Sequence, residues 1–250
     1  MALSAIDLTV GYGSRAVLAG INASVSRGSL TALVGANGCG KSTLLRTLAG
    51  NQPPLAGHVL LESEDITRIR TAALARRLSI VLTDRTGGGG LTVAQVVAVG
   101  RHPYSGFMGR LSQDDRIAVD NAINAVGLER KRDDFMASLS DGERQKVMIA
   151  RAMAQSTAVM ILDEPTSFLD VAARFDIMRL LRRIASAGTA VLLSTHDIAP
   201  ALDACDTIWA VAAGKLHTGS RDAVIASGVL DNVYPGAVFD PTRLDFKPAP

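Results

Sequence analysis

The sequence predicts a layered α/β fold built around a parallel sheet, and two observations carry that expectation. Short apolar runs, "SLTALV" (29–34), "LSIVL" (78–82), "AVMIL" (158–162) and "AVLLS" (190–194), recur between stretches of helical pattern. Each run is apolar at nearly every position, as a strand covered on both faces requires, and strands of that kind separated by helices form parallel sheets. The length, 250 residues, suits one large domain or a domain with an inserted lobe.

The first run opens directly into "GANGCGKST" (35–43), which precedes the helical "LLRTLAG". Gly35, Gly40, Lys41 and Ser42 fit G-x-x-x-x-G-K-S/T in the strand–loop–helix setting which that pattern demands. In such a loop backbone N–H groups hold a β-phosphate, the lysine reaches the β- and γ-phosphates, and the serine hydroxyl is offered to Mg²⁺. Lys41 and Ser42 are therefore candidate catalytic and metal-binding residues, and Asn37, Gly38, Cys39 and Thr43 complete the candidate nucleotide-binding loop. A glycine-rich turn with a solvated lysine is the plain alternative, and the flanking elements argue against it.

Residues 91–157 change to helical texture. "LTVAQVVAVG" is followed by "LSQDDRIAVDNAINAVG", with Ser112 placed to cap a helix start and Gly127 to stop it. This reads as a helical lobe inserted into the sheet domain. The run Gly87–Gly90 at its entrance is expected to be a hinge, or equally a surface loop tolerant of any sequence. The closing "DPTRLDFKPAP" is expected to lie along the surface or fray.

Three further stretches carry candidate chemistry. "VMILDEP" (159–165) is an apolar strand ending in Asp163, able to hold a magnesium-bound water, and Glu164, able to polarise an attacking water. "VLLSTHD" (191–197) places His196 after another buried strand, where a lone histidine is ordinarily structural. "LSDGERQKVMIARAMA" (139–154) opens with Ser140 and has Glu143 three positions later, a capping box.

Taken in order, the phosphate loop, the LSDGE helix start, LDEP and the terminal histidine resemble the ATP-binding subunits of ABC transporters, over roughly residues 2–240. The resemblance implies the ABC ATPase fold: a P-loop NTPase parallel-sheet core (1–83 and 158–220) with an N-terminal antiparallel β part, an inserted helical subdomain (84–157) and a C-terminal extension (221–250). It implies an ATPase using ATP and Mg²⁺ and acting as a head-to-tail homodimer, with each ATP between one copy's phosphate loop and the other copy's Ser140 and Gly142. Tyr12 matches the position that stacks on adenine, Asp170 in "SFLD" the loop that touches the partner's site, His196 the γ-phosphate switch, and Glu164 the general base. Asp163 and Ser42 match the metal ligands. Two departures stand out. Thr83 occupies or adjoins the place of a usual glutamine, and Asp141 and Glu143 add negative charge near a phosphate site, from which their side chains are expected to point away.

"GRHPYSGFMGRLSQDD" (100–115) is similar to a segment of ATPases that drive import of iron–siderophore complexes, haem and cobalamin. Pro103, Tyr104, Phe107 and Met108 between Arg101 and Arg110 are expected either to form an apolar cluster rimmed by charge against a membrane subunit or to fill the lobe. The implied partners are two transmembrane permease subunits and, indirectly, a periplasmic or extracellular substrate-binding protein. The implied location is the cytoplasmic side of the inner membrane. A non-transport relative in DNA repair or translation would carry a long coiled coil or two ATP-binding units, and a P-loop small-molecule kinase would leave LSDGE and His196 unexplained.

Composition agrees with this setting. Twenty-six basic against 24 acidic residues give a formal charge of +2, which offers no electrostatic ground for nucleic acid as a partner. Cys39 and Cys205 match no metal or redox spacing and suit a reducing compartment. No apolar stretch approaches the about 20 residues of a membrane span, so a second chain is expected to hold this one at a membrane.

Overall fold

The computed structural model describes residues 1–82, 90–105, 110–234 and 236–248. The chain begins with an antiparallel hairpin, β1 (Leu3–Tyr12) and β2 (Arg15–Val25), turned at Gly13, whose φ of 56° suits a residue without a Cβ. β3 (Leu30–Val34) leads through the glycine-rich loop into α1 (Lys41–Leu48). β4 (Ala56–Leu61) and β5 (Glu64–Asp65) return to the hairpin, giving a sheet of order β2-β1-β4-β5. The short α2 (Thr71–Leu74) precedes β6 (Leu78–Val81).

Among the described residues, three α-helices then intervene before the next strand: α3 (Val93–Val99), α4 (Gln113–Ala125) and α5 (Asp141–Ala154). Each starts on a capping box, Thr92 with Gln95, Ser112 with Asp115 and Ser140 with Glu143. Reciprocal side-chain bonds of this type satisfy first-turn N–H groups and define where a helix begins. Gly127, with φ 73°, follows the end of α4 as expected of a C-terminal glycine.

The chain re-enters the sheet at β7 (Val159–Leu162), crosses through α6 (Val171–Ser186) to β8 (Ala190–Thr195), and through α7 (Ile198–Ala204) to β9 (Thr207–Ala212). β10 (Lys215–Gly219) folds back antiparallel on β9, and α8 (Arg221–Ala226) follows. The large sheet has the order β10-β9-β3-β8-β7-β6, parallel throughout except at its β10 edge.

Alternate residues of these strands feed two cores. Leu162, Val191, Leu193 and Ile208 pack towards the helices of the β6–β7 segment and α6, while Ile161, Leu192, Leu33 and Trp209 pack towards α1 and the antiparallel sheet. That two-sided burial is why the runs are apolar at consecutive positions.

The described part of the closing stretch lies along the surface, one of the two courses expected of it, and it does so as a hairpin: β11 (Ala237–Asp240) pairs with β12 (Asp245–Pro248), Phe239 opposite Phe246, with Phe239 buried. One expectation is corrected. Arg101 is not a rim charge. It is buried, donates from Nε to Asp115 Oδ1 at 2.8 Å and from a guanidinium N–H to Ala154 O at 2.7 Å, and its guanidinium carbon lies 3.9 Å from the centroid of the Tyr104 ring. Tyr104 in turn donates its hydroxyl to Gln155 O, so this motif ties the helices together from inside. Thr83, Gly87 to Gly89, Phe107 and Met108 lie outside the described residues.

Candidate active site

The candidate site begins where β3 ends. Gly40, the N-cap of α1, has φ 106°, a conformation that strains any side chain, and a Cβ there would come within 2.6 Å of Val17 Cγ1. No side chain caps α1. Its first N–H groups, which have no partner within a helix, and the positive end of its dipole thus make a position that suits an anion. Lys41, 5% exposed, folds back over the loop and donates from Nζ to Gly35 O at 2.8 Å and Ala36 O at 3.1 Å.

The carboxylates come from the end of β7. Asp163 continues the sheet, its N–H donating to Val81 O, while its Oδ1 accepts from Ser194 Oγ at 2.6 Å. Ser194 Oγ also accepts the Glu164 N–H at 2.9 Å, so one fully buried hydroxyl ties both acidic residues to β8. Glu164 has φ 46°, and so does Phe168 sit in the left-handed region, at 65°. Non-glycine residues held there are uncommon and mark loops whose shape the surroundings impose. Glu164 Oε1 lies 3.8 Å from Lys41 Nζ, and Oε2 accepts from Ser167 Oγ at 2.6 Å and lies 3.3 Å from His196 Nδ1.

An open cleft of about 310 Å³ runs along the loop, lined by Tyr12, Asn37, Gly38, Gly40, Lys41, Ser42, Thr43 and Glu164 among others. Tyr12 stands at its edge, and its hydroxyl accepts from Thr43 Oγ1 at 3.2 Å. The structure thus gathers one set of predicted residues: this lining, with Gly35 and Cys39 in the same loop, and Asp163 and His196 joined to it through Ser194 and Glu164.

Ser140, Gly142 and Asp170 do not line the cleft and form a second group. Asp170 caps α6, its Oδ1 accepting the Ala173 N–H at 2.7 Å, and a Cβ on Gly142 would lie 3.1 Å from the Ala173 Cβ. The absence of a side chain at 142 lets the two helix starts touch. The charges beside Ser140 are engaged: Glu143 accepts from the Ser140 N–H and from Lys131 Nζ at 2.6 Å, and Asp141 accepts from Arg144 at 2.8 Å. The Lys131 hydrogen bond is the main reason the Glu143 carboxyl is held below its ordinary pKa.

Sequence reasoning missed Ser194 and Ser167. A hydroxyl two positions before His196 inside an apolar strand was the available signal for Ser194, and the parallel pairing of Leu162 with Leu193 is what carries it to Asp163.

Cys39 supplies a pH-dependent test of the loop. Burial pushes its thiol pKa up, only partly opposed by Lys41, whereas Cys205, buried in the core, is pushed up to about 12 and is inert. Because the thiolate is the reactive form, alkylation of Cys39 is expected to be slow at neutral pH and to accelerate as pH rises, with ATP protecting. A rate independent of pH between about 7 and 9, or of ATP, counts against this placement.

The family model for ABC transporters matches residues 18–167. The chain belongs to the ABC transporter family. This ABC ATPase is 38% identical to the achromobactin transport ATP-binding protein CbrD of Dickeya dadantii over 84% of this chain and 78% of that protein. It is 35% identical to the ferric enterobactin transport ATP-binding protein FepC of Escherichia coli over 91% of this chain and 85% of that protein. The solved structure of cbiO1 from Clostridium perfringens, part of the ABC transporter complex cbiONQ, matches with a TM-score of 0.80 and 31% identity, covering 91% of this chain and 92% of that one.

Proposed function

We propose that this ABC ATPase hydrolyses ATP to drive uptake of a metal chelate, a ferric siderophore, haem or cobalamin, through a separate permease. The observation that supports the hydrolytic reading is the convergence of Lys41, Glu164 and His196, with Asp163 behind them, on one cleft at the start of α1. The uptake reading draws on the achromobactin and ferric enterobactin relatives.

In this reading Tyr12 takes the base, and the N–H groups of Gly38 to Thr43 with Lys41 Nζ take the phosphates. Glu164 accepts a proton from the attacking water, its carboxylate kept in one orientation by Ser167 and His196. Ser42 Oγ and the Asp163 carboxylate would hold Mg²⁺, which supplies positive charge to the phosphate oxygens. Among the described residues no cluster of three or more ligating side chains forms a metal cage. Two protein oxygens suit an ion that takes its other ligands from water and phosphate.

The second group, Ser140, Gly142 and Asp170, serves the site of a second copy. Ser140 and Asp170 are exposed, and beside them Phe168, Val171 and Phe175 are 70%, 66% and 52% exposed, an apolar border that suits contact with another chain. The lobe of residues 84–157 meets the permease, which holds the ATPase on the cytoplasmic face of the membrane. No helix among the described residues is long and apolar enough to cross one.

Affinity purification of the tagged chain from detergent-solubilised membranes tests the reading. Recovery with a polytopic membrane protein, and loss of uptake of one of the three, a ferric siderophore, haem or cobalamin, on deleting the gene, are expected. Recovery with ribosomes or nucleic acid and unchanged uptake overturn it.

A further inference from the structure

The C-terminal segment reaches the back of the candidate site. Tyr234, following a turn anchored by buried Val229, Leu230 and Val233, donates its hydroxyl to the backbone carbonyl of His196 at 2.7 Å. Its ring is held edge-on by Phe246 of β12, centroids 4.7 Å apart, and Phe246 packs in turn on Phe239. The loop bearing His196 is fixed from its other side as well, because the Asp197 N–H donates to Thr195 Oγ1 at 3.0 Å and Arg174 donates to Asp197 at 2.9 Å. His196 is thus gripped by its backbone while its imidazole faces Glu164. Burial, then the charges of Cys39, Asp197 and Glu164, hold the tyrosine pKa up to about 12, so the hydroxyl stays a donor throughout the physiological range.

We propose that Tyr234 is a positioning residue for ATP hydrolysis: the hairpin-backed C-terminal segment sets the orientation of His196 towards Glu164 through one hydrogen bond to its carbonyl. This rests on the role given to His196 above. Tyr234→Phe deletes the hydroxyl and keeps the ring against Phe246, so folding and nucleotide capture should survive. In the assembled complex its kcat is expected to fall about fivefold, the factor that one neutral hydrogen bond is worth, with the KM for ATP unchanged and the Tm lowered by no more than the roughly 2–4 °C that losing one such bond costs a chain of this size. His196→Ala should lower kcat much further, and the double variant should be no slower than His196→Ala alone, since the hydroxyl acts only through the histidine.

A wild-type kcat in Tyr234→Phe beside a crippled His196→Ala sinks this inference and leaves the role of His196 standing. Full activity in His196→Ala removes that role and this inference with it. A Tyr234→Phe defect that appears in KM and in Tm beyond that range, or that adds to His196→Ala in the double variant, makes the hydroxyl structural and overturns the proposal.

Discussion

Replacing Glu164 by glutamine is expected to lower ATP turnover by about 10² to 10⁴-fold, the range a positioned general base contributes, with ATP affinity retained. The amide keeps the size and most of the hydrogen-bonding of the carboxylate, so Ser167 can still donate to it, but it cannot accept the proton of an attacking water. The loop proposed to hold phosphate is a separate element from this group, whose Oε1 lies 3.8 Å from Lys41 Nζ. A variant that binds but does not hydrolyse should accumulate as ATP-bound dimers, visible by size-exclusion chromatography with light scattering. Turnover within a fewfold of wild type removes Glu164 from the base role. Tight ATP binding without dimerisation leaves the base intact and dismisses the shared site.

Asp115→Ala is expected to cost about 3–5 kcal/mol of folding stability, the usual effect of breaking a buried ion pair from one side. Asp115 and Arg101 are 4% and 8% exposed, and removing the carboxylate leaves a guanidinium enclosed by Ala154 O and the Tyr104 ring without its counter-charge. The same change removes the capping box of α4. Urea denaturation of Asp115→Ala and of the double variant Arg101→Met/Asp115→Leu separates the causes: the double variant should regain much of the loss, because no charge remains stranded. The pH dependence has a definite sign. Hydrogen bonds from Ser112 and then from Arg101 lower the Asp115 pKa from 3.8 to about 2. Its contribution is therefore complete above pH 3.8 and is lost as pH falls through about 2. Wild-type stability that does not decline over that interval more than Asp115→Ala contradicts the assignment.

What could be read from the sequence was local. The four apolar runs became β3, β6, β7 and β8 because uninterrupted β-branched and leucine residues have few other ways to be buried, and Ser112, Ser140 and Gly127 marked helix ends because capping chemistry acts within a few residues. The order of the motifs brought Lys41, Asp163, Glu164 and His196 into one list before any fold was known. Contacts set by tertiary pairing were not readable in this way. Ser194 reaches Asp163 through parallel strand register, Arg101 finds its counter-charge in Asp115, 14 positions on in the first turn of α4, and Tyr234 meets His196 across 38 positions of chain. The surface course of the tail was readable, but its hairpin was not, because the pairing of Phe239 with Phe246 needs a turn that no strong signal announced.

The lysine of the glycine loop already rests on two carbonyls of its own backbone. A phosphate that took the Lys41 ammonium would exchange these main-chain oxygens for phosphoryl oxygens, one set of acceptors for another.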